Sequence, residues 1–224
     1  MSTVLVVGAS RGIGYEFARQ YAADGARVIA THRRPQDAER LRALGARPVA
    51  LDVLDTAALA DFGARLAAER IDVAIIAAGV YGPRTTGLAP PAPADFDAVM
   101  HTNVRAPMVL IPALAPQLAS VRGKLVVISS RMGATSTMAH ANGWLYRASK
   151  AALNNVLKGA SLELGPRGII CIAIHPGWVR TDMGGAGADL DPADSVTRMR
   201  YVIAAANDSH NGKFLDYNGE QLPW

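Results

Sequence analysis

Val4-Leu5-Val6-Val7-Gly8-Ala9-Ser10-Arg11-Gly12-Ile13-Gly14 is the most informative run of the chain. Its first four residues are all aliphatic and mostly β-branched, with no polar alternation, which is the pattern of a strand buried on both faces of a parallel sheet. Gly8, Gly12 and Gly14 then fall between that strand and a helical pattern running from Gly14 to Ala23. Glycine permits a tight turn and lets backbone approach a pyrophosphate, and the helix N-terminus offers unpaired N–H donors to the anion. Ser10, Arg11 and Ile13 complete the turn. A glycine triplet alone would fit any close helix–strand contact; the strand before it and the helix after it favour a nucleotide.

The pattern repeats outward from this turn. Strand candidates are Val4–Val7, Arg27–Thr31, Arg47–Ala50, Val73–Ala77, Lys124–Ser129 and Ile169–His175. Between them lie segments with apolar residues at three-to-four spacing, among them Ala58–Ala68 and Ala148–Leu164. This alternation predicts an α/β fold: a Rossmann-type doubly wound parallel sheet in α/β/α layers, forming a single domain over residues 1–224. Pro83–Pro93 reads as a surface loop and Gly184–Pro192 as a mobile one. Pro107, Pro112 and Pro116 are expected to kink or divide the helix that follows Asn103.

Composition narrows the function. Among the 224 residues, 50% are hydrophobic and 19% charged, the balance of a soluble globular protein. One cysteine excludes a disulfide framework and points to a reducing, cytoplasmic location. That residue, Cys171, sits in an apolar strand and reads as inert core. No apolar run approaches the roughly 20 residues of a membrane span, and no basic leader precedes the first strand, so neither a membrane nor a secretory signal is expected. The five histidines lack ligand spacing, so no metal site is expected. The net charge of +4 is local: Arg27–Arg47 holds six arginines against Asp37 and Glu39, while the rest carries 17 basic and 17 acidic residues. A nucleic-acid binder would spread basic charge over a face, with aromatics for stacking. A small anionic ligand fits this short cluster better.

The ligand is read from the second strand. An acid about 20 residues beyond the glycine turn would grip a ribose 2′-hydroxyl, whereas arginine accommodates a 2′-phosphate. Here the strand ends Thr31-His32-Arg33-Arg34, with no acid before Asp37. Arg33, with Arg11 approaching from the glycine turn, favours NADP(H) over NAD(H). A solvated, charged helix start is the plainer account of the same arginines. Asp52, after the third strand, can accept from an adenine amino group; as a helix cap it would compete with Asp55 and Thr56.

Trp144-Leu-Tyr-Arg-Ala-Ser-Lys150 places Tyr146 and Lys150 on one helix face. A free phenol with a pKa near 10 is a weak catalyst at neutral pH, and a neighbouring ammonium is expected to lower it. Ser129-Ser130 ends a strand upstream, where a hydroxyl can hydrogen-bond a carbonyl oxygen that gains charge.

Taken together these segments resemble the short-chain dehydrogenase/reductase family over nearly the whole chain. The matching motifs are GASRGIG at Gly8–Gly14, LDV at Leu51–Val53, AAG at Ala77–Gly79, Asn103 in HTNVRAP, Ser130 in ISSRMG, YRASK at Tyr146–Lys150 and HPGWVRTDMGG from His175. The last two, with the C-terminal FLDYNGEQLPW, most resemble Sniffer-type carbonyl reductases and C-factor-like proteins. The resemblance implies a dinucleotide-binding part over about residues 1–130 and a catalytic helix with a substrate lid over about 131–224. It implies Tyr146 as proton donor, Lys150 as its partner and a ribose ligand, Ser130 as carbonyl ligand, and Asn103 as holder of a relay water. Val53, Ala78 and Gly79 would border the cofactor. After the Pro176-Gly177 turn, Val179 and Thr181 would contact the nicotinamide carboxamide. The serine of the family pattern is followed by two residues and a glycine, which selects Ser130 over Ser129.

Two positions depart from the pattern. Ala77 stands where the family commonly has asparagine, which puts sheet bracing in question. Ser130 and Tyr146 are 16 residues apart, longer than usual, so Thr135–Asn142 is expected to form an extended loop. The activity implied is NADPH-dependent reduction of a small ketone, aldehyde or quinone, by a chain that could be a homodimer or homotetramer. The alternative is a dinucleotide-binding regulator or signal of C-factor type. Trp144 and Trp178 fit either a substrate wall or core packing.

Overall fold

The strands read from the sequence assemble into one sheet. The computed structural model describes residues 1–224. Its strands are β1 Thr3–Val7, β2 Arg27–His32, β3 Arg47–Ala50, β4 Val73–Ile76, β5 Lys124–Ile128, β6 Ile170–His175 and β7 Lys213–Asp216. They lie in the order β3-β2-β1-β4-β5-β6-β7, every pair parallel. The helices are α1 Gly12–Ala23, α2 Pro35–Ala43, α3 Thr56–Arg65, α4 Pro93–Met100, α5 Ala106–Ala119, α6 Trp144–Leu164 and α7 Pro192–Ala205. This is the doubly wound α/β/α sheet expected, and the six strand candidates match within one residue at each end. No helix is long and apolar enough to cross a membrane.

Both sheet faces are covered, which is why the strands carry no polar alternation. Along β1, Leu5 and Val7 enter one core with Phe62 of α3, Leu114 of α5 and Leu157 of α6. Val4 and Val6 enter the other, with Phe17 of α1, Leu41 of α2 and Met199 of α7. The strand order reverses between β1 and β4, and the crevice beyond their carboxyl ends is where such sheets bind ligands.

Three features differ from expectation. α5 runs undivided through Pro112 and Pro116; both prolines are exposed, so the carbonyls they leave unpaired lie on the solvent side. Pro107 sits in the first turn, where a missing N–H costs little, and a π-helical turn at His101–Arg105 joins α4 to α5. Gly184–Pro192 is pinned rather than mobile: Leu190 N–H donates to Trp178 O at 3.0 Å, Arg180 N–H donates to Leu190 O at 2.8 Å, and Arg180 pairs with Asp191. At Ala77 the strand ends are braced through the backbone, the Ala77 and Ala78 N–H groups both donating to Val7 O, at 2.9 and 3.0 Å. The Thr135–Asn142 segment is the exposed loop expected from the spacing.

Candidate active site

The glycine turn is built by close backbone contacts. Gly8 has φ +88°, and a Cβ there would sit 2.7 Å from Ala78 backbone atoms; one on Gly14 would sit 2.1 Å from Gly8 O. Only glycine lets the end of β1, the end of β4 and the start of α1 meet this closely. The Gly8 N–H is anchored on Thr31 Oγ1 at 2.8 Å. Arg11 occupies the α1 N-cap position without a capping hydrogen bond from its side chain, so the first N–H groups of α1 have no side-chain acceptor. That is an anion-binding helix start.

A groove of about 720 Å³ opens from this turn, a volume suited to a cofactor. Its walls are Gly8, Ser10, Arg11, Gly12, Ile13 and Gly14 of the turn, Arg33 after β2, Asp52 and Val53 after β3, Ala78 and Gly79 after β4, and Thr181. The sequence reading missed Thr31, Asp182 and Met183, which also line it.

The arginine cluster is mostly spent on neighbours. Arg27 and Arg47 pair with Glu69, Arg42 with Glu39 and Arg34 with Asp37, while Arg40 lies over the Tyr15 ring. Burial disfavours the Asp37 charge, but hydrogen bonds from Arg34 and Ser10 outweigh it and hold the carboxyl below its ordinary value. Arg33 alone of the six has no acid or ring beside it, and it faces the groove. Arg11 is not free as expected: its Nη1 lies 2.8 Å from Asp182 Oδ2, both side chains exposed. Asp55 caps α3 through Ala57 and Ala58 N–H, which leaves Asp52 at the groove wall.

The second cluster lies beside the first. Ser130 follows β5 and accepts the Met132 N–H at 3.1 Å. A Cβ on Gly133 would sit 2.7 Å from the Lys150 carbonyl carbon, so this turn packs directly on α6 and brings Ser130 to Tyr146. Ser129 instead donates to Asn154 Oδ1 at 2.5 Å. Tyr146 and Lys150 are both buried, 7% and 4% exposed. Lys150 Nζ donates to Ile128 O at 2.8 Å and lies 5.6 Å from the Tyr146 ring centroid. A Cβ on Gly79 would be 3.4 Å from Lys150 Nζ, so the ammonium borders the groove wall.

The electrostatics run opposite to expectation. Burial pushes the Tyr146 phenol up to about 12, against a hydrogen bond with Ser130 that lowers it. Burial brings the Lys150 amine down to about 8. Desolvation dominates both groups, and the amine is directed at a carbonyl. Tyr146 therefore keeps its proton through neutral pH.

A family model for short chain dehydrogenases matches residues 2–189. The chain belongs to the short-chain dehydrogenase family. It is 38% identical over 155 residues to the C-signal protein of Myxococcus xanthus, covering 69% of this chain and 93% of that protein. Among solved structures it superposes on the carbonyl reductase Sniffer of D. melanogaster with TM-score 0.92 at 26% identity, over 100% of both chains. A carbonyl reductase from Pseudomonas aeruginosa PAO1 in complex with NADP superposes with TM-score 0.86 at 34% identity, again over 100% of both.

In this short-chain dehydrogenase the remaining expected residues brace rather than line the groove. Asn103 is fully buried; its Nδ2 donates to Val80 O at 2.8 Å and Ser149 Oγ at 2.9 Å, and its Oδ1 accepts Val80 N–H at 2.9 Å. Its side-chain donors are thus occupied in tying the loop after β4 to α6. Pro107, four residues on, has no N–H for the Asn103 carbonyl. Val179 is 4% exposed and bridges to Leu190. Gly177, at φ +82°, packs on the Leu190 side chain, and Pro176 O accepts Ser195 Oγ at 2.6 Å. Of this turn, Thr181 reaches the groove. Trp178 is 54% exposed, with Nε1 donating to Gly184 O at 2.9 Å. The family motifs gave no sign of Tyr81, which stacks on Tyr146. Burial raises the Cys171 thiol to about 12, consistent with inert core.

Proposed function

We propose that this short-chain dehydrogenase is an NADP(H)-dependent carbonyl reductase acting on a small ketone, aldehyde or quinone. One arrangement carries the reading: a buried phenol whose pKa burial raises sits beside a serine hydroxyl, next to a groove whose one unpaired arginine faces inward. The residues fit a dinucleotide. The Gly8–Gly14 turn and the open start of α1 would take the pyrophosphate, Arg33 the 2′-phosphate, Asp52 the adenine amino group, and Lys150 the nicotinamide ribose. Arg11 would join at the phosphate by leaving Asp182.

A nicotinamide dinucleotide held by these residues would supply hydride to a carbonyl carbon. Ser130 donates a hydrogen bond to the carbonyl oxygen and fixes its direction toward Tyr146. As negative charge grows on that oxygen, it becomes basic enough to take the Tyr146 proton. A phenol near 12 stays protonated until an alkoxide-like oxygen forms, which suits reduction. Lys150 places positive charge near the phenolate left behind, and Asn103 fixes the loop carrying Gly79 against α6. The solved carbonyl reductases with similar folds support this reading.

A signalling role is the second reading, favoured by the likeness to C-signal. Titrating NADPH fluorescence and then adding a carbonyl panel separates the two. Tyr146→Phe is expected to bind NADPH as the wild type does while losing at least about 100-fold in kcat. Substantial turnover in that variant removes Tyr146 from the assigned role; binding without turnover in the wild type favours the signal.

A further inference from the structure

Tyr81 lies in the loop after β4, outside every motif shared with the family. Its ring stacks on the Tyr146 ring, centroids 4.6 Å apart and planes 24° apart. The Arg84 guanidinium carbon lies 5.0 Å from the Tyr81 centroid. Tyr81 thus contacts both the phenol ring of Tyr146 and a cation. Arg84 is fixed in turn, its Nη2 donating to Met183 O at 2.7 Å, and Met183 borders the groove. Two glycines make room for the stack. At Gly143, φ +64° and just before α6, a Cβ would meet the Tyr81 hydroxyl at 2.3 Å; at Gly82, φ +77°, one would meet Val99 at 2.5 Å.

Resting on the carbonyl reductase reading, we propose that Tyr81 is a positioning residue. Its flat ring holds the Tyr146 phenol toward Ser130 and shields it from water, and Arg84 ties this stack to the groove segment at Met183. The groups facing Tyr146 are Lys150 from its own helix, Ser130 from the turn after β5, and Tyr81 from the loop after β4, with Arg84 over the Tyr81 ring. Tyr81 is the only aromatic ring stacked on Tyr146, so removing it exposes the phenol.

Tyr81→Phe keeps the flat ring and Tyr81→Ala removes it; Tyr81→Leu replaces the alanine variant if that does not fold. The readouts are kcat and KM for a carbonyl, Kd for NADPH, and ¹³C NMR titration of Cζ-labelled tyrosines, with the Tyr146 signal assigned by its loss in Tyr146→Phe. In the Ala or Leu variant kcat is expected to fall about 10- to 100-fold, with NADPH Kd within about twofold. Its Tyr146 should titrate about one unit lower as water reaches the ring. Tyr81→Phe restores kcat, while its Tyr146 titrates between the wild type and the alanine variant, because the Tyr81 charge that helps raise it is gone. An unchanged kcat in Ala and Leu, a Phe variant as impaired as Ala, or an unmoved Tyr146 titration overturns the proposal. A wild type that reduces no carbonyl defeats the proposed function instead, and the titration, which needs no turnover, still decides the role of Tyr81.

Discussion

Arg33 shows how a residue gains its role from what its neighbours do. Five of the six arginines between Arg27 and Arg47 are engaged with Glu69, Asp37, Glu39 or Tyr15, so the local charge surplus comes down to one guanidinium at the groove. Arg33→Asp is expected to weaken NADPH binding by about 10- to 100-fold, the scale of one charge-assisted contact, with NADH affinity nearly unchanged. Equal changes for both cofactors, measured by fluorescence titration, would return the cluster to a solvated helix start. His175 carries a different test. Burial, helped by the nearby Arg131 charge, lowers its imidazole to about 4. The unfolded chain takes up this proton near pH 6.5, ahead of the folded one, so stability is present above pH 6.5 and is lost as pH falls toward 4. Denaturation at stepped pH should show wild type losing about 2 kcal/mol more than His175→Gln over that interval. Parallel losses would rule the histidine out. Tyr146 and Lys150 were legible because their spacing places both on one helix face. The direction of the Tyr146 shift was not, because it depends on burial under elements distant in sequence, with the Tyr81 charge adding to it and the Ser130 hydrogen bond opposing it.

At the scale of elements, the glycine turn is set by contacts rather than by propensity. Gly8→Ala meets both a positive φ and the Ala78 backbone, and is expected to cost about 2–4 kcal/mol and abolish NADPH binding. Gly25 offers the control: its φ is +78° with nothing within 4 Å of a Cβ, so Gly25→Ala should cost only about 1–2 kcal/mol of backbone strain. Equal losses in chemical denaturation would mean that close approach at Gly8 contributes nothing. The inner strands were readable from their continuous apolar runs. β7 was not, since Lys213-Phe-Leu-Asp216 shows two apolar residues between two charges and is ordered by pairing with β6. The α5 prolines misled because their effect depends on which side of the helix they occupy, and no local rule gives that.

For the whole molecule, the alternation of strands and helices was enough to predict a doubly wound parallel sheet, because parallel crossovers leave few other topologies; the strand order, and with it the crevice at the β1–β4 reversal, came from the structure. What had no local signal was how the groove closes. The pinning of Gly184–Pro192, the Arg11–Asp182 pair and the Arg84–Met183 contact all join residues distant in sequence. The central claim is that the groove and the Ser130–Tyr146–Lys150 cluster act together to reduce a carbonyl. NADPH deuterated at both nicotinamide C4 positions, incubated with the protein and a panel of ketones and aldehydes, tests it by mass spectrometry of the products. The account predicts a product alcohol bearing deuterium on the former carbonyl carbon with wild type, and essentially none with Tyr146→Phe; NADPH that binds yet transfers no deuterium to any member of the panel would contradict it.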